Sequence, residues 1–184
     1  MLVERMIRAA RLDVSLYEEV ESDTTATSQA ATVVLLVAIA NAIAGAIVGA
    51  FISHRGGTGI LGGIIGGIII AFIGWIAWSY VTYFVGTNLF NGTATPGEMM
   101  RTIGFAQSPG VLNIITFIPC LGAIVALVVA IWMLIAGVIA VRQALDFETS
   151  KAILTVIIGW IVYVIIAVVI GAIIGVGSAI GGAA

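Results

Sequence analysis

Long apolar runs alternate with short polar interruptions along this chain. Four stretches contain no Asp, Glu, Lys or Arg: 24–54, 56–97, 102–141 and 152–184. A transmembrane helix needs about 20 apolar residues, so each stretch holds at least one span and two are long enough for more. We place the spans at about 30–53, 59–90, 98–118, 122–142 and 151–176. The predicted fold class is an all-α integral membrane protein, a five-span transmembrane helical bundle occupying residues 24–176.

The first 23 residues follow a different pattern. Apolar residues recur there at spacings of four and three and therefore share one helix face: Val3, Ile7, Ala10, Val14 and Tyr17. Arg5, Arg8 and Arg11 lie toward the polar side. We expect an amphipathic helix over residues 1–23. It either lies in the headgroup region, with its arginines near anionic lipid or a partner, or packs on the protein's own cytoplasmic loops.

Local signals mark the breaks between the apolar runs. Thr95-Pro96-Gly97-Glu98 fits a capping box with Pro at the first helical position, which predicts a helix start. Pro109 lies near the middle of the third span and predicts an interruption, because proline lacks the N–H that an α-helix needs. Residues 177–184 are rich in Gly and Ala and are expected to form a flexible tail.

The basic residues indicate how the spans cross the membrane. With five spans and a cytoplasmic N-terminus, six of the seven Lys and Arg residues lie inside and only Arg55 lies outside. A four-span arrangement would move Arg142 and Lys151 outside. Since cytoplasmic loops carry the excess of basic residues, the sequence favours five spans with the C-terminus outside. The membrane is expected to be the inner membrane of a prokaryotic cell.

Composition excludes several classes of protein. Charged residues make up 9% of the chain, hydrophobic residues 61%, and the mean hydropathy is +1.24. Soluble domains carry about 25% charged residues, so a soluble enzyme is excluded. The net charge is −2 without a basic patch, so no nucleic-acid partner is expected. The lone Cys120 excludes an internal disulfide and a Cys-rich metal site.

The sequence contains few residues that could carry out catalysis within the membrane. No Asp, Glu, Lys or His lies deep within a predicted span, and neither Gly-x-Ser-x-Gly nor His-Glu-x-x-His occurs. His54 stands alone in a predicted loop. We therefore expect no enzyme activity, no catalytic residue, no cofactor and no metal.

Small residues recur at helical spacing in the predicted spans. Within each span, glycines are separated by four residues or by a multiple of four. They are Gly45, Gly49, Gly59, Gly63, Gly67, Gly159, Gly171 and Gly175. Such residues let helix backbones approach closely, and packing is the main driving force for helix association in lipid. The pattern predicts close packing within the bundle, with contact to a second copy or a partner protein as the alternative.

Polar side chains gather around the break in the third span. They are Arg101, Gln107, Ser108 and Asn113, on either side of Pro109. Membrane transporters place binding sites at broken helices, and polar residues inside a membrane are costly. A structural role is the alternative: Arg101 reaches the cytoplasmic interface, and the other side chains satisfy carbonyls that the proline frees. Contact with a partner protein is a third interpretation. Asn41 in the first span has the same three interpretations.

Aromatic residues cluster about 20 residues into the second span. Trp75 and Trp78 are followed closely by Tyr80 and Tyr83. Trp and Tyr concentrate at membrane–water interfaces, so we expect an interfacial aromatic belt here.

Two segments resemble a known family. Gly104-Phe105-Ala106-Gln107-Ser108-Pro109 is similar to the glycine–aromatic–proline element in the third span of the Yip-domain family, and Arg142–Ala152 resembles the loop before its fifth span. The resemblance covers about residues 25–176 and implies a cytosolic N-terminal segment and five spans. It is closest to the compact prokaryotic members. The Asp-Leu-Tyr-Gly-Pro element of the eukaryotic members is missing, which argues against a Rab-type GTPase partner.

These observations predict a non-enzymatic multi-pass membrane protein. Its expected role is a scaffold or an accessory subunit of a larger membrane assembly, with glycine-rich helix faces as the contact surfaces. The expected partners are the lipid bilayer and a membrane protein or a second copy of the chain. The alternative is a small-solute or ion pathway centred on the broken third span.

Overall fold

The computed structural model describes the backbone of residues 1–51 and 57–181 and the side chains of residues 1–50 and 60–165. All of the secondary structure in these ranges is helical. The α-helices are α1 (Leu2–Ala10), α2 (Val14–Ser22), α3 (Ala26–Phe51), α4 (Gly57–Phe90), α5 (Pro96–Ala106), α6 (Leu121–Ala144) and α7 (Thr149–Gly181), and Ser108–Phe117 forms a 3₁₀ helix.

Three of these helices are long and apolar enough to cross a membrane. They are α3, α4 and α6, which lie where the first, second and fourth spans are predicted. The described apolar part of α7, Thr149–Ile165, lies in the fifth predicted span, and α5 with the 3₁₀ helix occupies the third. The all-helical membrane fold therefore agrees with the sequence, whereas five separate crossings remain a proposal.

The N-terminal segment is two helices rather than the single amphipathic helix predicted. The chain turns at Leu12, whose φ is 62°, a left-handed conformation that no α-helix contains. Asp13 then caps α2, because its carboxylate accepts a hydrogen bond from the Ser15 N–H at 3.0 Å. The apolar residues keep the same helical spacing through both helices, so this spacing alone predicts one continuous helix. The break depends on Leu12 and on the cap at Asp13, which the spacing does not reveal.

The break in the third span follows the local signals in the sequence. Thr95 and Glu98 form the complete capping box at the start of α5. The α-helix ends at Ala106, and Pro109 lies in the first turn of the 3₁₀ helix. The Ser108 hydroxyl donates to the Phe105 carbonyl at 2.6 Å, and this carbonyl is the one that Pro109 deprives of its helical partner.

The short helix α5 lies at the centre of the packing. It contacts α1, α2, α3, α4 and α6, and Met99, Ile103 and Phe105 on it are buried. Gly104 permits the closest approach, since a Cβ there would lie 2.7 Å from the Ala30 Cβ of α3. The outer faces of the long helices expose Ile and Leu side chains, as expected for surfaces that lie against lipid.

Some predictions concern residues whose side chains the structure does not describe. Arg55, His54, Gly59, Gly171 and Gly175 belong to this set. The backbone of α7 is helical as far as Gly181, beyond the predicted start of the tail at residue 177.

Candidate functional site

A cavity of about 440 Å³ lies inside the bundle, beside the break in the third span. Three side-chain amides from different elements line it: Asn41 of α3, Gln107 at the end of α5, and Asn113 of the 3₁₀ helix. Tyr163 of α7 lines it as well. We call this space the amide cavity. Asn41 and Asn113 also line an adjoining cavity of about 470 Å³ with Thr116 and Val129.

The polar residues of the third span divide into two groups. Ser108 serves the structure, since its hydroxyl satisfies the Phe105 carbonyl. Asn113 differs, because its Oδ1 atom is buried and has no hydrogen-bond partner among the residues that the structure describes. Gln107 lines the amide cavity beside it. A buried amide oxygen without a partner is rare in proteins, and it indicates an unfilled hydrogen-bonding site.

Aromatic side chains form walls of the amide cavity. Trp75, Trp78 and Trp160 line it, and the Trp78 ring packs edge-on against Tyr163 at a centroid distance of 5.8 Å. Trp75 is only 5% exposed and donates from Nε1 to the Met100 carbonyl at 3.0 Å. Trp75 therefore packs in the interior of the bundle, beside Met100. The hydrogen bond accounts for this, since it satisfies the indole N–H away from water.

Arg101 holds α5 against α2. Arg101 is 6% exposed. Its guanidinium donates from Nε to the carbonyls of Val20 and Glu21 at 2.9 and 3.1 Å, and from Nη2 to Glu21. These carbonyls belong to the last turn of α2, where backbone acceptors lack helical partners and the helix dipole favours a cation. The side chain is thus buried under the N-terminal helices.

The arginines of α1 mostly face acidic residues of the same chain. Arg5 forms ion pairs with Glu19 at 2.8 Å and Asp23 at 2.9 Å. Arg8 pairs with Asp13 at 2.8 Å and with Glu19 at 2.6 Å, which lowers the pKa of both carboxyl groups. The ion pairs of Arg5 and Arg8 agree with the prediction that the N-terminal segment packs on the protein itself. Arg11 is exposed and can contact lipid or a partner.

Glu21 has an unusual electrostatic environment at the end of α2. Partial burial raises the pKa of its carboxyl group to about 7, with further contributions from Asp146, Glu98 and Glu18 that outweigh the opposing effect of Arg101. Glu21 is therefore a group outside the predicted spans whose charge changes near neutral pH.

Glycine and alanine residues line a groove between α3 and α4. Its volume is about 250 Å³, and Gly45, Gly49, Gly63 and Gly67 contribute to it. We call it the glycine groove. Within the described part of the chain, a Cβ atom at Gly45, Gly63 or Gly67 would meet no neighbouring atom within 4 Å. Gly159 differs, since a Cβ there would lie 3.4 Å from the Thr82 hydroxyl and so packs against α4.

Two functional contacts were not found from the sequence. Trp132 donates from Nε1 to the carbonyl of Ala10, the last residue of α1, at 2.7 Å. Tyr163 lines the amide cavity. In the sequence it was notable only because it lies four residues after Gly159, in the register of small residues. An indole in the middle of an apolar run gives no sign of the carbonyl it will meet, because that carbonyl is 122 residues away.

Within the described side chains, no group of three His, Cys, Asp or Glu residues could hold a metal ion. Comparison with known families gives a match between residues 17–182 and the model of the Yip1 domain. No curated protein and no solved structure matches the chain.

Proposed function

Because the chain belongs to the Yip1-domain family and is a membrane protein, we propose that it is a non-enzymatic scaffold or accessory subunit of a larger membrane assembly. The glycine groove is the surface through which it contacts a helix of another membrane protein or of a second copy. The proposed location is a prokaryotic inner membrane, with the N-terminus in the cytoplasm.

The observation that carries this proposal is the glycine groove itself, a space of about 250 Å³ between α3 and α4 that small residues of both helices line. Where the chain packs its own helices closely, it uses glycines that have near neighbours: a Cβ at Gly104 or Gly110 would come within 2.7 Å of α3 side chains. Among the residues whose side chains are described, Gly63 and Gly67 have no such neighbour. Close helix approach is the advantage of glycine in lipid, and the described part of the chain does not use it at these two positions.

The experiment compares two faces of α4. Leu at Gly63 and Gly67 fills the glycine groove, whereas Leu at Gly62 and Gly66 changes the adjacent face of the same helix, where a Cβ also meets no neighbour. The full-length protein is isolated in native lipid discs and its assembly mass is measured. We expect a mass above that of the 19.0 kDa monomer for the wild type and the control pair, and a shift to monomer for the groove pair.

The contradicting results are equally definite. A wild-type protein that is monomeric and free of other proteins would refute the proposal. An equal loss of assembly in both variant pairs would show that the groove has no special role.

The amide cavity favours a second candidate function, a small-solute or ion pathway through the broken third span. Alanine at Gln107 and Asn113 separates the two candidates. Loss of flux in reconstituted vesicles with an unchanged assembly mass would support the pathway, and unchanged flux would support the scaffold alone.

A further inference from the structure

The polar groups of the amide cavity lie about midway along the membrane helices. Asn41 is near the middle of α3, and Met133, another lining residue, is near the middle of α6. Water is scarce at this depth, so a hydrogen-bonding group without a partner is costly. The Asn113 Oδ1 atom is such a group. Its presence is explained if another molecule supplies the missing donor.

The chemistry of the lining restricts what that molecule is. None of the described residues that line the amide cavity is Asp, Glu, Lys, Arg or His. An ion would enter without a countercharge, at a large desolvation cost. Amides and a phenol both donate and accept hydrogen bonds, and the three indoles supply flat apolar surface. The lining suits an uncharged ligand that has a hydrogen-bonding group and an apolar body.

The rim of the amide cavity indicates the direction of entry. Ile70 of α4 and Trp160 of α7 both line it and are 68% and 60% exposed. Exposed apolar side chains on these helices face the hydrocarbon of the bilayer. The cavity therefore opens sideways toward lipid where Ile70 and Trp160 lie.

From these three observations we infer that the amide cavity binds an uncharged, hydrogen-bonding amphiphile that enters from the bilayer. Its hydroxyl group donates to the Asn113 Oδ1 atom and lies near Gln107 and Asn41, and its apolar body extends past Trp160 into lipid. The volume of about 440 Å³ lies in the range of small-molecule sites and accommodates such a head group with the first part of a chain. The scaffold function is independent of this binding site.

Photochemical labelling tests the inference in the full-length protein. The protein is placed in phosphatidylcholine nanodiscs that contain a monoacylglycerol with a diazirine near its head group. Parallel samples contain a diazirine fatty acid, which is charged at high pH, or a diazirine phosphatidylcholine. Adducts are mapped by mass spectrometry after irradiation. We expect the monoacylglycerol to label cavity residues such as Met133, and the other two probes to label only outward-facing residues.

The variants are chosen so that folding is preserved. Asn113→Leu removes the unpartnered oxygen at similar volume and is expected to keep or raise the midpoint of thermal unfolding. Asn41→Leu changes an exposed lining residue. Each is expected to lower cavity labelling by about fivefold, the effect of one net hydrogen bond. Asn88→Leu, the same change at an exposed position of α4 outside the cavity, is the control and should leave labelling unchanged.

Three results would overturn the inference. Cavity labelling no greater than that of lipid-facing residues would mean that the space holds water or nothing. Equal labelling by the charged fatty acid would refute the selectivity for uncharged ligands. Suppression of the cavity adducts by glycerol added to the aqueous phase would place the source of the ligand in water and refute entry from the bilayer.

Discussion

Arg101 carries a full charge into the boundary between the N-terminal helices and the membrane domain. It compensates for burial by donating to two carbonyls at the end of α2, where the helix dipole adds to the attraction. The family-like segment begins three residues later at Gly104, so the conformation of α5 positions both the arginine and the amide cavity. Arg101, for which the sequence left an interfacial role and a binding role open, therefore connects the two parts, as the Trp132–Ala10 hydrogen bond also does.

Replacement of Arg101 by Met tests this connection. Met retains most of the apolar stem but leaves the Val20 and Glu21 carbonyls without a donor. Hydrogen bonds to charged groups contribute about 1.5–3 kcal/mol, and we expect a loss of stability of that order. Amide exchange in α2 should become faster. Arg11→Met, at an exposed arginine of the same segment, should change neither quantity. Normal protection of α2 in Arg101→Met would contradict this role.

Glu21 gives the molecule a dependence on pH. Its pKa is raised to about 7 in the folded protein, mainly by burial. The folded state therefore retains the proton more strongly than the unfolded state, whose glutamate titrates near its ordinary value of about 4.3. It follows that the contribution of Glu21 to stability falls as the pH rises from about 4.3 to about 7, and is constant above that range.

The thermal unfolding midpoint at pH 5 and pH 8 measures this contribution. The wild type should lose stability between these values, and Glu21→Gln should lose less while being more stable than the wild type at pH 8. Glu18→Gln removes a neighbouring carboxylate of α2 but retains Glu21, so most of the pH dependence should persist. An identical pH dependence in Glu21→Gln and the wild type would exclude Glu21 as its source.

At the scale of helices, the sequence predicts where elements begin and end better than what they contact. The capping box at Thr95 and the break at Pro109 are both confirmed, because each acts within a few residues of the chain. Trp75 was expected at an interface and is buried. Its partner, the Met100 carbonyl, belongs to the next helix, and only the packing of α4 against α5 brings the two together.

At the candidate site, too, the sequence predicts which residues are involved but not which groups they contact. The sequence identified Gln107, Ser108 and Asn113 as a group, but it could not separate Ser108, which serves its own helix, from Asn113, which lacks a partner. That distinction depends on the space left between α3, α6 and α7. The glycine register likewise could not distinguish Gly159, which has Thr82 beside it, from Gly63, which has open space.

Glycine to alanine substitutions test this contrast at the scale of helices. A Cβ at Gly104 would lie 2.7 Å from the Ala30 Cβ and 3.3 Å from the Trp75 Nε1 atom, so Gly104→Ala should force α5 away from α3. Overpacking of this kind costs about 1–3 kcal/mol. Gly62→Ala meets no neighbour and should be neutral or slightly stabilising, since alanine is the better helix former. The thermal unfolding midpoint should therefore be lower for Gly104→Ala than for Gly62→Ala. Equal midpoints would show that α5 does not approach α3 this closely.

At the scale of the whole molecule, the question is whether α5 and the 3₁₀ helix cross the membrane together. At about 1.5 Å and 2.0 Å per residue, their 11 and 10 residues would extend about 36 Å if collinear, enough for a hydrocarbon core of about 30 Å. Crossing places six of the seven basic residues on the cytoplasmic side, whereas a segment that returns would leave four there. The positive-inside rule favours the crossing.

A single cysteine near the C-terminus tests the number of spans. Cys120 is exposed and is first replaced by Ala, so that Ala183→Cys is the only thiol in the protein. Five spans place position 183 outside the cell, where a membrane-impermeant maleimide should label it in intact cells. A cysteine at Ser15 is the matched cytoplasmic control and should react only after lysis, since Ser15 is exposed on the N-terminal helices. Labelling of position 183 only after lysis would mean an even number of crossings. The break at Pro109 would then mark a re-entrant turn, and the amide cavity would lie at the end of a half-span instead of beside a full one.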